Sequence, residues 1–336
     1  MAATSNTLIV RTRSGEPQLV QERLPLPIPG KGQVQVKSKA SIKMPLAMWA
    51  VLGCDFVGEV TKLGEGVTRL AKGDIIARLI WGGEIPSLGG YSEYTIADQN
   101  ISFKVPKGII REQASTVPLA AATAWLALFS KDCLNLDRSK AAGTSVLVWG
   151  GSSSVGLYTI QLASLCGFDV VTTCSPHNAD LVRSCGAKHV FDYNDAKVIE
   201  KIQEAAPGLK HIFDTIGNTS SSSISSRALG DRQGHLCTVR PGKANTEQVT
   251  SNTNVTDVLV WTAFLKDHRY AHFYWPAHKE DHRLSSELFE KLPLWLEQGK
   301  IQPNKSKVLH GLDLVPEGFQ EYRDGVISAY KIVYEL

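Results

Sequence analysis

Over the first hundred residues, short stretches alternate apolar and polar positions, which predicts β-strands. The alternation is clearest at 33–38, and similar stretches occupy 7–11, 18–22, 57–63, 74–80 and 91–96. The run Leu-Pro-Leu-Pro-Ile-Pro at 24–29 cannot pair regularly, because proline has no backbone N–H. Many short strands separated by glycine-bearing turns predict a small, barrel-like all-β domain.

The pattern changes after Arg111, where 112–117 and 120–129 have helical spacing and are rich in alanine. Strand-like stretches at 145–149, 169–174, 189–193, 211–215 and 234–239 then alternate with helical ones. This alternation predicts a parallel, doubly wound sheet. The serine cluster at 219–226 has the composition of a linker. The strand-like stretch that follows it argues against a linker, since it would complete the sheet.

Composition and charge favour small-molecule chemistry. The chain has 336 residues, of which 43% are hydrophobic and 21% charged, with a net charge of +3. This length favours two domains. Interleaved acidic and basic residues give no one-signed surface for nucleic acid or an anionic membrane. We expect a cytoplasmic protein, because no apolar run is long enough to span a membrane and the first residues lack a signal-peptide pattern.

The cysteines and histidines give no metal-binding pattern. The six cysteines are scattered without Cys-x-x-Cys spacing, so we expect reduced, buried thiols. His268/His272 and His278/His282 are four residues apart, but neither pair has the His-Glu-x-x-His order of a metalloprotease helix. We expect no metal site there.

A loop rich in glycine and serine separates the strand at 145–149 from the following helix. Glycines permit a tight turn and a close approach to a pyrophosphate, while amides and hydroxyls at a helix N-terminus are phosphate donors. Strand, loop and helix occur in the order that dinucleotide binding requires. We predict that the whole loop binds the cofactor: Gly150, Gly151, Ser152, Ser153, Ser154, Val155 and Gly156.

The next strand ends without the acidic residue that is typical of NAD-binding sites. Ser175, His177 and Asn178 follow it instead, with Arg183 farther along. These donors suit the 2′-phosphate of NADPH, so we predict NADPH rather than NADH. Ser175 and Asn178 also have the residue types that cap helices, and both roles are compatible.

Together with further motifs, these residues resemble the zinc-free medium-chain dehydrogenase/reductase superfamily, and within it the fungal trans-acting enoyl reductases of polyketide synthases. The resemblance covers nearly the whole chain. It rests on the loop at 150–156 and on motifs at 52–60, 64–74, 90–94, 117–124, 173–178, 185–187, 191–193 and 325–334.

The resemblance implies an α/β architecture with a GroES-like β-barrel domain and a Rossmann domain that contains the doubly wound parallel sheet. It places the GroES-like catalytic domain at 1–120, completed by 272–336, and the NADPH-binding domain at 121–271, with the active site in the cleft between them. Zinc-dependent relatives have Gly-His-Glu where this chain has Gly53-Cys54-Asp55. The resemblance therefore implies that no metal is bound.

By position in the family motifs, Tyr193 is expected near the adenine ribose, and Ser175 and Arg183 at the 2′-phosphate. Lys331 corresponds to a lysine near the cofactor. The structural alternatives are a core aromatic for Tyr193 and solvated surface charges for Arg183 and Lys331.

The resemblance also suggests Lys43 and Thr123 as candidate catalytic residues. Thr123 is expected by the nicotinamide, and Lys43 is the best match for a family lysine. Relatives have a longer segment after this lysine, including an Asn-Pro and an Asp without counterparts here. The shorter segment would widen the substrate pocket for a bulky polyketide or remove groups that reduction needs.

The expected reaction is NADPH-dependent reduction of an α,β-unsaturated thioester or ketone, with donors that polarise the carbonyl. A quinone or ketone reductase of the same superfamily remains an alternative. So does a non-redox enzyme, such as a cyclase that acts on a polyketide intermediate. A binding module without chemistry is disfavoured because the cofactor loop is complete.

The expected substrate is a small molecule or a polyketide tethered to an acyl carrier protein. Lys37, Lys39 and Lys43 are candidates for contact with the acidic helix of such a carrier, although isolated lysines are usually only solvated. We expect no nucleic-acid or membrane partner.

Overall fold

The structure is a computed structural model that describes residues 3–13, 16–42, 51–83, 88–270 and 273–336. Its strands are β1 (Thr4–Arg13), β2 (Glu16–Pro25), β3 (Gln33–Ile42), β4 (Asp55–Leu63), β5 (Ile75–Leu79), β6 (Tyr94–Asp98), β7 (Ser102–Lys104), β8 (Ser145–Trp149), β9 (Asp169–Cys174), β10 (His189–Asp192), β11 (His211–Asp214), β12 (Gly234–Thr238), β13 (Thr253–Asp257), β14 (His268–Tyr270), β15 (Phe273–Trp275), β16 (Lys305–His310) and β17 (Tyr330–Glu335). The α-helices are α1 (Arg111–Ala114), α2 (Pro118–Phe129), α3 (Ser154–Leu165), α4 (Ala179–Ser184), α5 (Val198–Ala205), α6 (Ser221–Ser226), α7 (Lys279–Glu297) and α8 (Val315–Arg323). None of these helices combines the length and apolar character that a membrane span requires.

The chain divides into two compact units. The first comprises 1–119, 286–299 and 303–336, and the second comprises 120–285 and 300–302. The expected bounds placed 272–285 in the first domain, whereas these residues belong to the second unit. The difference arises because the first half of α7 contacts α2, which lies mostly in the second unit: Trp125 Nε1 of α2 donates a hydrogen bond to Leu284 O of α7 (3.0 Å). In the second half of α7, Phe289 packs against Phe103 of the first unit.

A mixed sheet forms the core of the first unit. Its strand order is β16-β17-β3-β4-β5-β7, and β6 also pairs with β3. All pairs are antiparallel except β16 and β17. Val34 and Val36 of β3 are fully buried beside Phe56 and Val60 of β4. The predicted alternation of apolar and polar positions is therefore confirmed in β3, whereas the first four residues of β4 are all buried.

The second unit contains a parallel sheet with the order β10-β9-β8-β11-β12-β13. Helices follow β8, β9, β10 and β11, which confirms the predicted alternation of strand and helix. The strand order reverses between β8 and β11, so the carboxyl ends of these two strands border the switch point where α/β sheets bind ligands.

The serine cluster is part of this unit and is not a linker. Ser221–Ser226 form α6, and all of its serines are buried. Their hydroxyls bond locally, as in Ser226 Oγ to Ser223 O (2.8 Å). The prediction that this cluster is not a linker is confirmed, and its composition is misleading because small hydroxyl side chains can be buried once they are hydrogen-bonded.

Candidate functional site

The predicted cofactor loop closes tightly over the carboxyl end of β8. Gly150 has a positive φ of 85°, and a Cβ there would lie 2.5 Å from Ile216 Cδ1. A Cβ on Gly156 would lie 2.4 Å from Gly150 O. Both positions therefore require glycine, as expected for a tight loop that approaches a pyrophosphate closely.

Ser153 caps α3, and its Oγ accepts a hydrogen bond from Gly156 N (2.9 Å). The remaining loop residues lie at the same helix end, and Ser152, Ser154 and Val155 are half-buried. The N-terminus of a twelve-residue helix favours anions through its amides and its dipole. This donor set fits a dinucleotide pyrophosphate.

Two threonines from neighbouring strands, neither of them predicted as a site residue, hold the loop. Thr173 accepts hydrogen bonds from Gly150 N at its Oγ1 (3.1 Å) and from Gly151 N at its carbonyl (2.8 Å). Thr215 Oγ1 lies 2.8 Å from Ser153 Oγ. Both threonines stand at or just after the carboxyl end of a parallel strand, and that position was the signal that could have identified them.

Two residues predicted to contact the adenosine end of the cofactor lie side by side. Ser175 Oγ donates to Tyr193 Oη over 3.4 Å, and Tyr193 is 45% exposed. The alternative of a core aromatic for Tyr193 is therefore wrong. Ser175 and Asn178 occupy the N-cap positions of the two helical segments that follow, as the capping interpretation predicts, but neither side chain makes a cap hydrogen bond.

Arg183 reaches the same end of β9. Its Nη1 lies 3.0 Å from Asp180 Oδ1, in an exposed pair of the kind that contributes little stability. Burial raises the pKa of the Cys174 thiol, and the positive charge of Arg183 acts in the opposite direction. The strand end therefore carries a neutral thiol with a cation nearby. His177 is exposed, whereas Asn178 is buried.

Only one of the two candidate catalytic residues lies in the part of the chain that the structure describes. Thr123 lies in α2 and is 8% exposed. Lys43 lies outside the described residues, as does the shortened segment that follows it. The catalytic role of each remains a prediction.

Comparison with known proteins decides the family. A model described as the GroES-like domain of alcohol dehydrogenase matches residues 30–107, and one described as zinc-binding dehydrogenase matches 154–266. The chain is 32% identical to Trans-enoyl reductase ACTTS2 of Alternaria alternata, over 99% of each protein. The chain belongs to the medium-chain dehydrogenase/reductase superfamily.

Further matches agree with this assignment. The chain is 30% identical to a trans-enoyl reductase of Gibberella fujikuroi over 85% of this chain and 84% of the relative. A solved structure of an alcohol dehydrogenase superfamily protein from Novosphingobium aromaticivorans has a TM-score of 0.78 at 20% identity, over 99% of this chain and 100% of that one. The predicted family and the α/β fold class, GroES-like plus Rossmann, are confirmed. The protein is an oxidoreductase, and its family generally uses a nicotinamide cofactor.

In this superfamily member, Lys331 binds a buried acid of its own unit. Lys331 Nζ lies 3.1 Å from Asp55 Oδ2 and 3.2 Å from Thr116 O. Asp55 is fully buried and also accepts a hydrogen bond from Leu119 N (2.5 Å). Burial raises the pKa of the Asp55 carboxyl, although the Lys331 ammonium opposes the shift. The alternative of a solvated charge for Lys331 is wrong, because its side chain is 10% exposed.

The motif that holds zinc ligands in related dehydrogenases has other partners here. Asp55 is paired with Lys331, and Cys54 Sγ contacts Gly82 O at 3.5 Å. Within the described ranges, no group of three or more His, Cys, Asp and Glu residues is arranged to hold a metal ion. His278 lies between two carboxylates, 3.0 Å from Asp132 and 3.3 Å from Asp281.

All six cysteines are free. Four of them are buried, as expected, whereas Cys166 and Cys185 are half-buried.

Proposed function

We propose that this protein is an NADPH-dependent enoyl reductase that reduces the carbon–carbon double bond of an α,β-unsaturated thioester or ketone in polyketide biosynthesis. The observation that carries the proposal is the similarity to a trans-enoyl reductase over the full length of the chain. The ordered dinucleotide loop supports it, because reduction requires a bound hydride donor.

The residues around the loop fit a dinucleotide. The N-terminus of α3 would hold the pyrophosphate, and the close contacts of Gly150 and Gly156 fix the shape of the turn that precedes it. When bound, a reduced nicotinamide supplies hydride to the β carbon of the substrate. The Thr123 hydroxyl and the Lys43 ammonium are the groups that we propose to polarise or position the substrate carbonyl.

Arg183 is the residue that we expect to select NADPH. An acidic residue at the end of β9 would repel a 2′-phosphate, and this chain has Cys174 and Ser175 there. Replacing Arg183 with Ala should raise the Kd for NADPH by roughly tenfold, the effect of losing one charge-assisted hydrogen bond. The Kd for NADH should change little.

The matched control is Arg227→Ala, which removes an exposed arginine in the connection between α6 and β12. It should leave both affinities unchanged. Equal weakening of NADPH and NADH by Arg183→Ala would contradict its role at the 2′-phosphate.

Activity can be tested with the purified protein, NADPH and a crotonyl thioester of N-acetylcysteamine. The proposal predicts oxidation of NADPH that depends on the thioester, with one cofactor consumed per saturated product. Oxidation with a quinone but not with the thioester would instead indicate a quinone reductase. Conversion of a polyketide substrate to an isomer of unchanged mass, without cofactor oxidation, would indicate a cyclase.

We further propose that an acyl carrier protein presents the substrate. Lys37 is exposed and Lys39 is half-buried on β3, at alternate positions that share one face. Replacing Lys37 and Lys39 together with Glu, with Lys43 left in place because of its proposed role at the substrate carbonyl, should raise the KM for a carrier-bound substrate and leave the KM for the small thioester unchanged. Equal effects on both substrates would exclude this docking surface.

A further inference from the structure

The turn that follows β11 is held by one buried carboxylate. Asp214 is fully buried, and its Oδ1 accepts hydrogen bonds from Ile216 N and Gly217 N, both at 3.0 Å. Its Oδ2 accepts hydrogen bonds from the hydroxyls of Ser221 and Ser222, both at 2.6 Å. Hydrogen bonds to an ionised group are short and strong, so the four donors fix the turn at 215–218 relative to α6.

The opposite side of this turn is fixed by a second loop. Arg240 Nε donates to Gly217 O (3.0 Å), and Asn245 Nδ2 donates to the same oxygen (2.9 Å). Asn245 has a positive φ of 66°, a conformation that costs free energy for a residue other than glycine. The turn is therefore held from both sides before any ligand binds.

Thr215 connects this fixed turn to the loop at 150–156. Its Oγ1 lies 2.8 Å from Trp149 O, 2.9 Å from Gly150 O and 2.8 Å from Ser153 Oγ. Ser153 Oγ accepts from Gly156 N, so its own hydrogen is free to be donated to Thr215, and the Thr215 hydrogen is donated to a carbonyl. One hydroxyl thus joins the end of β8, the glycine turn and the cap of α3.

We infer that Asp214 and Thr215 are positioning residues that hold the dinucleotide loop in its binding geometry. Neither needs to contact the cofactor: Asp214 orders the turn, and Thr215 ties the turn to the loop. This inference rests on the proposed dinucleotide binding. It also accounts for Ser221 and Ser222 of the serine cluster, since their hydroxyls are the partners of the Asp214 carboxylate.

The test compares threonine variants of one sheet by fluorescence titration with NADPH. Thr215→Val keeps the shape of the side chain and removes the hydroxyl, and it should raise the Kd for NADPH about tenfold. Thr215→Ser should restore the affinity. The matched control is Thr256→Val on β13, where the Oγ1 atom is buried and has no hydrogen-bond partner within the described part of the chain. This variant should bind NADPH as the original protein does.

A second variant, Ser222→Ala, tests the Asp214 side of the arrangement and should raise the same Kd by a smaller factor, roughly threefold. It also keeps the test decisive if Thr215→Val fails to fold. At saturating NADPH, the kcat of each folded variant should stay close to the original, because the reacting groups are not altered.

The outcomes separate the inference from the proposed function. If the unaltered protein binds neither NADPH nor NADH, the proposed function fails. If the unaltered protein binds NADPH and both Thr215→Val and Ser222→Ala bind it equally well, the positioning role is refuted. A purely structural role would lower the Tm and the fraction of binding-competent protein without changing the Kd of that fraction, and this result would also refute it.

Discussion

Replacing Lys331 with Met tests whether this lysine serves the fold through Asp55. The substitution keeps an unbranched side chain and removes the ammonium group, which lies 3.1 Å from a carboxylate that is completely buried. Removing one partner of a buried ion pair typically costs about 3–5 kcal/mol, because the remaining charge is not returned to water. We expect the Tm of the variant to fall by on the order of 10 °C.

The pH dependence of the stability of Lys331→Met tests whether the unpaired Asp55 charge causes the destabilisation. Burial already raises the pKa of Asp55, and loss of the ammonium should raise it further. A folded-state pKa above the unfolded-state value means that stability is lost as the pH rises from about 4 through the raised folded-state pKa. The deficit of Lys331→Met relative to the original protein should therefore be larger at pH 8 than at pH 5.

The assay is thermal unfolding at both pH values, with two comparison variants. Lys307→Met removes the lysine of the more exposed pair with Glu321 and should lower the Tm far less. Asp55→Asn combined with Lys331→Met should recover part of the lost stability, since no charge then remains buried. A Lys331→Met protein with unchanged Tm and weakened NADPH binding would refute this account and place Lys331 at the cofactor.

Three further substitutions have definite expected outcomes. Gly156→Ala should abolish detectable NADPH binding in a fluorescence titration, because its Cβ would lie 2.4 Å from the Gly150 carbonyl; unchanged binding would mean that the loop has another shape. Tyr91→Phe should raise the Tm by a few degrees, because the buried hydroxyl has no hydrogen-bond partner among the residues that the structure describes; a clear fall would show that the hydroxyl is bonded. Burial lowers the pKa of the His211 imidazole, so on acidification the unfolded chain binds a proton at this residue before the folded chain does, and the stability falls as the pH drops through about 6.5. The Tm of His211→Gln should therefore fall less between pH 7 and pH 5.5 than the Tm of the original protein. An equal fall would show that His211 does not cause the loss of stability.

Local patterns in the sequence were sufficient to predict the parallel sheet and the glycine-rich turn between β8 and α3; binding of a cofactor by this turn stays a prediction. The alternation of strands and helices requires only neighbouring residues. Within the loop, the positive φ of Gly150 and the close approach of Gly156 to the Gly150 carbonyl require glycine. Ser175 and Tyr193 were predicted from family motifs, and the structure brings their hydroxyls within 3.4 Å.

Other features depend on contacts that no local pattern contains. Lys331 and Asp55 are 276 positions apart, so their pairing follows only from the return of β17 to the first sheet. By composition alone, Ser221 and Ser222 resemble linker residues, because nothing next to them in the sequence identifies Asp214 as their hydrogen-bond partner. The strand β13 was missed because its residues, Thr-Asn-Val-Thr-Asp, are mostly polar, as suits an edge strand.

The most direct test of the central claim is the fate of the hydride. The protein is incubated with NADPH that carries deuterium at the transferring position of the nicotinamide and with an α,β-unsaturated thioester, and the product is analysed by mass spectrometry and NMR. The account predicts a saturated product with one deuterium at the β carbon. A product without deuterium, or an isomer of unchanged mass with the cofactor still reduced, would contradict it.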